Sequence, residues 1–124
     1  MREQYAVIKI LNEQEILINY GILDKAKRGD KLRIIEPGPD IIIDGHFYGK
    51  LDAIKEYIEV TTAYDQFSIC KKIVRKQSYA LSPLSMLKTT YSYENMNVDA
   101  TQIDKDLKVP EITPIAIGDI VEKY

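Results

Sequence analysis

Short runs of apolar and β-branched residues recur along the first 74 positions of the chain, often alternating with polar residues. An apolar residue at every second position is typical of a half-buried β-strand, and isoleucine packs well on a pleated sheet because its branched side chain is stiff. Polar or glycine-containing turns separate the runs. The pattern predicts six strands, at residues 5–11, 15–19, 31–35, 49–54, 57–64 and 67–73.

The alternation in the first predicted strand divides its side chains between two faces. Val7 and Lys9 share one face. Ala6, Ile8 and Ile10 share the other, which is wholly apolar. We therefore expect the second set to point into the core.

Six short strands within about 70 residues favour a small antiparallel β-barrel, closed or partly open, over a layered α/β fold. Residues 77–109 have no steady apolar period and contain Ser-Pro and Thr-Thr segments, which predicts a long irregular arm. Residues 110–124 return to a strand-like composition. The chain is therefore expected to be one mainly β domain with a barrel core at 1–76, an arm at 77–109 and a closing strand within 110–124.

Two Gly-Asp pairs, Gly29-Asp30 and Gly118-Asp119, each lead into a strand-like run. An internal duplication would produce such an echo. Gly-Asp turns are also common for conformational reasons alone, since both residues favour turns. The sequence leaves both explanations open.

Composition and charge limit the classes of function. With 124 residues and 45% hydrophobic content, the chain has enough apolar surface for one core. Positions 1–76 hold 13 basic and 12 acidic residues, and 77–124 hold 4 and 7, which is not the basic footprint of a general nucleic-acid binder. The sequence has no apolar run long enough for a signal peptide or a bilayer span, and its one cysteine cannot form an internal disulfide. We expect a cytoplasmic location without membrane insertion.

The residues that could support catalysis or bind a metal are few. His46 is the sole histidine, so a hydrolase site would have to use it, and a polar turn residue is the simpler interpretation. Cys70 lies in mid-strand, where a small buried side chain is the ordinary role. Asp40, Asp44 and Asp52 are interpreted as solvated turn residues, because no ligand spacing typical of zinc is present. We expect neither catalysis nor a cofactor or metal.

The arm carries the strongest candidate for a protein interface. Tyrosine and methionine are enriched where proteins meet, and several such residues cluster there with leucines. The alternatives are that the arm folds back over its own barrel or is disordered. The candidate interface residues are Tyr79, Leu81, Leu84, Met86, Leu87, Tyr91 and Tyr93.

A second candidate surface is basic. Small barrels often bind single-stranded nucleic acid with cations and aromatic rings. The chain has one dense basic segment preceded by a tyrosine, although Asp24 and Asp30 dilute its charge. A solvated loop is the simpler interpretation, and a protein-facing role is a further alternative. The candidate nucleic-acid contacts are Tyr20, Lys25, Lys27, Arg28, Lys31 and Arg33.

The order of these residues resembles a known family of small bacterial β-barrel modules. In the run 18–36, an apolar residue, Asn, any residue and Gly precede a basic stretch, Gly-Asp and a strand. Tyr48-Gly49, residues 67–70 and Ile117-Gly118-Asp119 occupy the later positions of the pattern. The sequence is thereby similar to the C-terminal domain of flagellar assembly protein T. The resemblance implies a barrel fold, a role in assembly or interaction, and no catalytic residues.

These observations predict a non-enzymatic module that binds a protein partner or self-associates as a homo-oligomer, through the arm and an exposed strand edge. A small barrel that binds single-stranded nucleic acid is the alternative. Neither prediction requires a cofactor.

Overall fold

The computed structural model describes residues 4–74 and 93–124, and these residues are mainly β. Two short 3-10 helices span Ile22–Asp24 and Ala100–Gln102. The strands are β1 Gln4–Ile10, β2 Ile16–Ile18, β3 Lys31–Glu36, β4 Asp40–Ile43, β5 His46–Lys50, β6 Ala53–Ala63, β7 Ser68–Lys72 and β8 Ile120–Lys123.

Six of these strands form a closed antiparallel barrel in the order β1-β2-β7-β6-β3-β8, with β8 pairing back to β1. The predicted fold class, a mainly β protein with a small antiparallel barrel, is confirmed. β4 and β5 pair only with each other, as a two-stranded sheet separate from the barrel. The barrel core consists of inward-facing side chains from all six strands, among them Val7, Ile18, Leu32, Ile34, Ile58, Val60, Cys70 and Val121.

The predicted inward face of the first strand is wrong. Val7 is 1% exposed and packs in the core, whereas Ile8 and Ile10 are 41% and 40% exposed on the outside. Tyr5 lies on the same inward face as Val7. The pairing register with β2 shifts between Val7 and Lys9, so strict alternation ends there. Counting apolar residues on each face could not reveal which side faces the narrow barrel interior.

Several strand bounds also differ from the predicted ones. The apolar triplet Ile41–Ile43, assigned to no strand from the sequence, belongs to β4. The predicted strands 49–54 and 57–64 correspond to the end of β5 and to one continuous strand, β6. The closing strand lies between β1 and β3 as a barrel strand, but it spans only Ile120–Lys123. Pro110 and Pro114 lack the N–H that a ladder needs, which accounts for the non-strand backbone before β8.

The two Gly-Asp turns make the same hydrogen bonds. In each, the glycine N–H donates to a valine carbonyl at 2.8 Å, and the N–H of that valine donates to the aspartate carbonyl, at 2.9 and 3.0 Å. The glycines have φ of 92° and 96°, a region that favours glycine. The residues are Gly29, Asp30 and Val60 in one set and Gly118, Asp119 and Val7 in the other.

The equivalence extends through the whole barrel. β3 pairs with β6 as β8 pairs with β1, and β6 pairs with β7 as β1 pairs with β2, with a register shift directly after Val60 and after Val7. The strand order is unchanged when β1, β2 and β3 are exchanged for β6, β7 and β8. The barrel therefore consists of two equivalent three-stranded halves. The Gly-Asp echo in the sequence marks this repeat.

The two halves differ in their connections. Twelve residues, 19–30, join β2 to β3, whereas residues 73–119 join the equivalent strands β7 and β8. In sequence order, the connection that includes residues 77–109 thus corresponds to a short loop of the first half. The chain divides into two compact units, one of Met1–Ile73 with Leu107–Tyr124 and the other of Val74–Asp106. In the parts of the chain that the structure describes, no helix has the length and apolar character needed to span a bilayer.

Candidate protein-interaction site

The β4–β5 hairpin turns at Asp44-Gly45. Both residues have positive φ, 51° and 78°, as a two-residue type I′ turn requires. Ile42 pairs with Phe47 beyond the turn. Because Ile41 pairs with Gly49, Tyr48 is an extra residue that bulges out of β5. A favourable turn therefore fixes the register of the hairpin.

The base of the hairpin is held between β3 and β6. The Gly38 N–H donates to Asp52 Oδ1 at 2.8 Å, and the Leu51 N–H donates to the Pro39 carbonyl at 2.9 Å. A Cβ at Gly38 would lie 1.7 Å from the Leu51 carbonyl oxygen, so the segments that contain Gly38 and Leu51 approach too closely for any larger residue at position 38. These contacts hold the hairpin where it leaves the barrel.

Large apolar side chains of the hairpin are exposed to solvent. The exposed fractions are 60% for Ile42, 55% for Ile43, 54% for Phe47 and 65% for Tyr48. Ile42 and Ile43 are consecutive, so they point to opposite faces of the two-stranded sheet. The His46 ring packs edge-on against Tyr48, with 4.4 Å between centroids. Large apolar side chains exposed on one hairpin make it the candidate interaction surface.

The hairpin also has open strand edges. Each barrel strand has a hydrogen-bonded neighbour on both sides. β4 and β5 each pair on one side. Among the described strands, those of the hairpin are therefore the ones with a whole edge open.

The predicted basic residues have mixed surroundings. Lys25, Lys27 and Arg28 are exposed in the connection between β2 and β3, and Lys31 is exposed at the start of β3. Arg33 is not free, because its Nε lies 2.6 Å from Glu122 Oε1 and its guanidinium lies 5.5 Å from the centre of a tyrosine ring, that of Tyr124. The structure thus leaves four of the five cations on the surface and engages the fifth.

Tyr20 is fully buried in the core, so its ring has no exposed face on which a base could stack. Its hydroxyl donates to Asp30 Oδ2 at 2.7 Å, and the Tyr5 ring lies 4.7 Å away between centroids. The pKa of Tyr20 is raised, first because burial disfavours the phenolate and then because Asp30 accepts its proton in a hydrogen bond. This burial removes Tyr20 from the candidate nucleic-acid contacts.

Of the residues considered for catalysis and metal binding, Cys70 lies in the barrel, whereas Asp40, Asp44 and His46 lie in the hairpin. Cys70 is buried in the barrel, which confirms the predicted structural role, and desolvation raises its pKa to about 12. A thiol with this pKa is a poor nucleophile at neutral pH. His46 is exposed on the hairpin against Tyr48. Within residues 4–74 and 93–124, no three His, Cys, Asp or Glu side chains are placed to hold a metal ion.

One buried charge was not singled out from the sequence. The Lys55 side chain is 2% exposed, and its Nζ lies 2.9 Å from Asp119, 2.9 Å from Thr113 Oγ1 and 3.3 Å from Glu36. Burial lowers the pKa of Lys55, but the hydrogen bonds with Asp119 and Glu36 outweigh it and raise the pKa overall. Lys55 thus joins β6 to β3 and to the segment before β8. An isolated lysine in an alternating strand pattern gives no signal of such burial.

Most of the predicted interface residues lie outside the described residues, namely Tyr79, Leu81, Leu84, Met86, Leu87 and Tyr91. Tyr93 is described and is 99% exposed. The hairpin surface, in contrast, was missed. Its signal was an Asp-Gly pair between Ile41–Ile43 and Phe47-Tyr48, the strongest short-range indication of a hairpin.

The sequence matches no protein-family model and has no significant match among curated proteins. The resemblance to the C-terminal domain of flagellar assembly protein T therefore stays a prediction.

Proposed function

We propose that this protein is a non-catalytic interaction module that binds a protein partner through the β4–β5 hairpin. The observation that carries the proposal is the exposure of Ile42, Ile43, Phe47 and Tyr48, each more than half exposed, on a hairpin that projects from a closed barrel. The partner buries these side chains, and the barrel serves as the rigid support. A cytoplasmic location is part of the same proposal.

The energetics favour binding at this hairpin. Full burial of an isoleucine or phenylalanine side chain contributes roughly 1.5–3 kcal/mol, so three such residues provide a substantial driving force before the entropy of association is subtracted. The type I′ turn and the contacts at Gly38 hold the hairpin in one conformation. A partner therefore spends little free energy on ordering it.

The exposed apolar side chains occur together with open strand edges and with an ion pair at the foot of the hairpin. Lys50 Nζ lies 3.8 Å from Asp40 Oδ1 at the foot of the hairpin, where both side chains remain more than half exposed. Such exposed pairs add little stability but suit the polar rim of an interface. The hairpin thus has an apolar centre with charged groups at its borders.

The proposal is tested by substituting the hairpin and a matched site on the barrel. The tagged chain is expressed in cells of the source organism and isolated from their extract by its affinity tag. The molar mass of the isolated species is then measured by size-exclusion chromatography with multi-angle light scattering. Wild-type chain is expected in an assembly larger than one chain. The double variant Ile42→Ser and Phe47→Ser is expected to run as a monomer.

The control is the double variant Ile8→Ser and Ile10→Ser, which removes exposed isoleucines from the outer barrel surface. It is expected to leave the assembly intact. A monomeric wild-type chain, or equal loss of the assembly in both double variants, would refute docking through the hairpin.

A further inference from the structure

We propose that the partner adds an extended segment to the open edge of β4, and that this segment has a lysine or arginine at each end of three apolar residues. The inference rests on the proposed function and names the partner's chemistry. In this binding mode, main-chain hydrogen bonds supply affinity and side chains at the ends supply specificity.

β4 is a better template than β5. A bulge at Tyr48 and the positive φ of Gly49, 130°, interrupt the regular ladder of β5. Bulges protect a strand edge because they twist it and break the regular spacing of its donors and acceptors. β4, in contrast, runs through Ile41–Ile43 without an inserted residue. A partner strand therefore finds its regular edge at β4.

The charges of β4 select against a second copy of the same chain. An acidic residue borders the isoleucines on each side, Asp40 before them and Asp44 after them. In an antiparallel pair of two β4 strands centred on Ile42, Asp40 of each copy comes beside the turn of the other copy, which begins with Asp44. Like charges brought close together repel, so self-pairing brings two repulsive contacts.

The same charges favour a basic segment. Among the described residues, Asp40 forms an ion pair only with Lys50, at 3.8 Å, and Asp44 forms none. Both carboxylates are therefore available to a cation. The charge pattern is symmetric, because one acidic residue stands on each side of three apolar residues. A segment with a cation at both ends therefore matches it in either strand direction. A different protein with such a segment is thus the occupant.

The test uses synthetic peptides and the full-length chain. The first peptide is acetyl-Thr-Lys-Val-Ile-Val-Lys-Thr-amide, labelled for fluorescence anisotropy. The second replaces both lysines with glutamate, and the third carries N-methyl groups on alternate residues so that one edge lacks donors. The lysine peptide is expected to bind at least tenfold more tightly than either of the others and to shift amide NMR signals of β4.

Two protein variants complete the test. Asp40→Asn with Asp44→Asn removes both charges, and asparagine keeps the turn because it tolerates positive φ. This variant is expected to bind the lysine peptide at least fivefold more weakly. The control, Glu13→Gln with Asp65→Asn, removes two exposed acids from other turns and is expected to bind as the wild type does.

Equal binding of the lysine and glutamate peptides, or full binding of the N-methylated peptide, would overturn the inference. So would an assembly that contains only copies of this chain. The peptide results do not change the expected effect of Ile42→Ser with Phe47→Ser on the assembly, so docking through the hairpin would stand or fall on its own test.

Discussion

Asp30 and Asp119 occupy equivalent positions in the two halves of the barrel and hold different partners. Each carboxylate accepts the backbone N–H three residues earlier, from Lys27 at 3.0 Å and from Ala116 at 2.9 Å. Asp30 also accepts the Tyr20 hydroxyl, whereas Asp119 receives the Lys55 ammonium at 2.9 Å. The repeat thus keeps the turn and varies the buried group that it anchors.

The ion pair at Asp119 is expected to contribute strongly to stability. Asp119→Ala removes one of the two carboxylates that balance the charge of the buried Lys55 ammonium. Breaking a buried ion pair costs about 3–5 kcal/mol of unfolding free energy. The remaining contact between Lys55 and Glu36 at 3.3 Å places the loss near the lower end. Lys55→Met is expected to cost less, because no unpaired cation stays buried. Urea denaturation of both variants measures the difference, and equal losses would contradict this explanation.

Stability is expected to fall in alkaline solution. The folded-state pKa of Lys55 is raised above its ordinary value of 10.5 and that of Tyr20 above 10.0, so the folded chain binds their protons more tightly than the unfolded chain. Both contributions are complete below these ordinary values and disappear as pH rises through the folded-state pKa values. The free energy of unfolding should therefore decrease above about pH 10. Lys55→Met should make this decrease shallower, and an unchanged slope would contradict the assignment to Lys55.

Gly38→Ala is expected to disturb the hairpin more than the barrel. The new Cβ meets the Leu51 carbonyl, which is backbone and cannot move aside alone. Overpacking of this kind costs about 1–3 kcal/mol. Amide hydrogen exchange should become faster in β4 and β5 and stay slow in β3 and β6. Unchanged protection in the hairpin would show that its base is not held as described.

Single-stranded nucleic acid is expected to bind weakly. Tyr20 is buried and Arg33 is paired with Glu122, so Lys25, Lys27, Arg28 and Lys31 remain as exposed cations. We expect a dissociation constant for oligo-dT weaker than about 1 μM at physiological salt, as for non-specific binding. Fluorescence anisotropy measures it. Submicromolar binding that disappears when these four residues are changed to glutamine would favour the nucleic-acid alternative.

The sequence predicts the barrel well because its strands are local patterns. Residues 31–35 follow a Gly-Asp turn and lie in β3, and the buried role of Cys70 follows from its place in a strand. The inward face of β1 does not follow from the pattern. Val7 faces the core and Ile8 faces solvent because of how β1 pairs with its two neighbours. β8 is distant in sequence, and the pairing with β2 contains a register shift.

The hairpin site was locally encoded but was not identified. Asp44-Gly45 is a strong turn signal, yet placing the next strand at residue 49 left Phe47 and Tyr48 outside any predicted strand. Their exposure could not be predicted from composition, since isoleucine and phenylalanine are normally buried. The exposure of these side chains depends on the position of the hairpin outside the barrel. The barrel itself is closed by β8, which lies far along the chain.

Site-specific crosslinking tests the central claim most directly. Phe47 is replaced by p-benzoylphenylalanine in the full-length chain, and Lys71, exposed on β7 of the barrel, is replaced in a control. After irradiation of the source cells, we expect a discrete adduct with another protein from position 47 and none from position 71. Equal adducts from both positions, or none from position 47, would contradict a docking site on the hairpin.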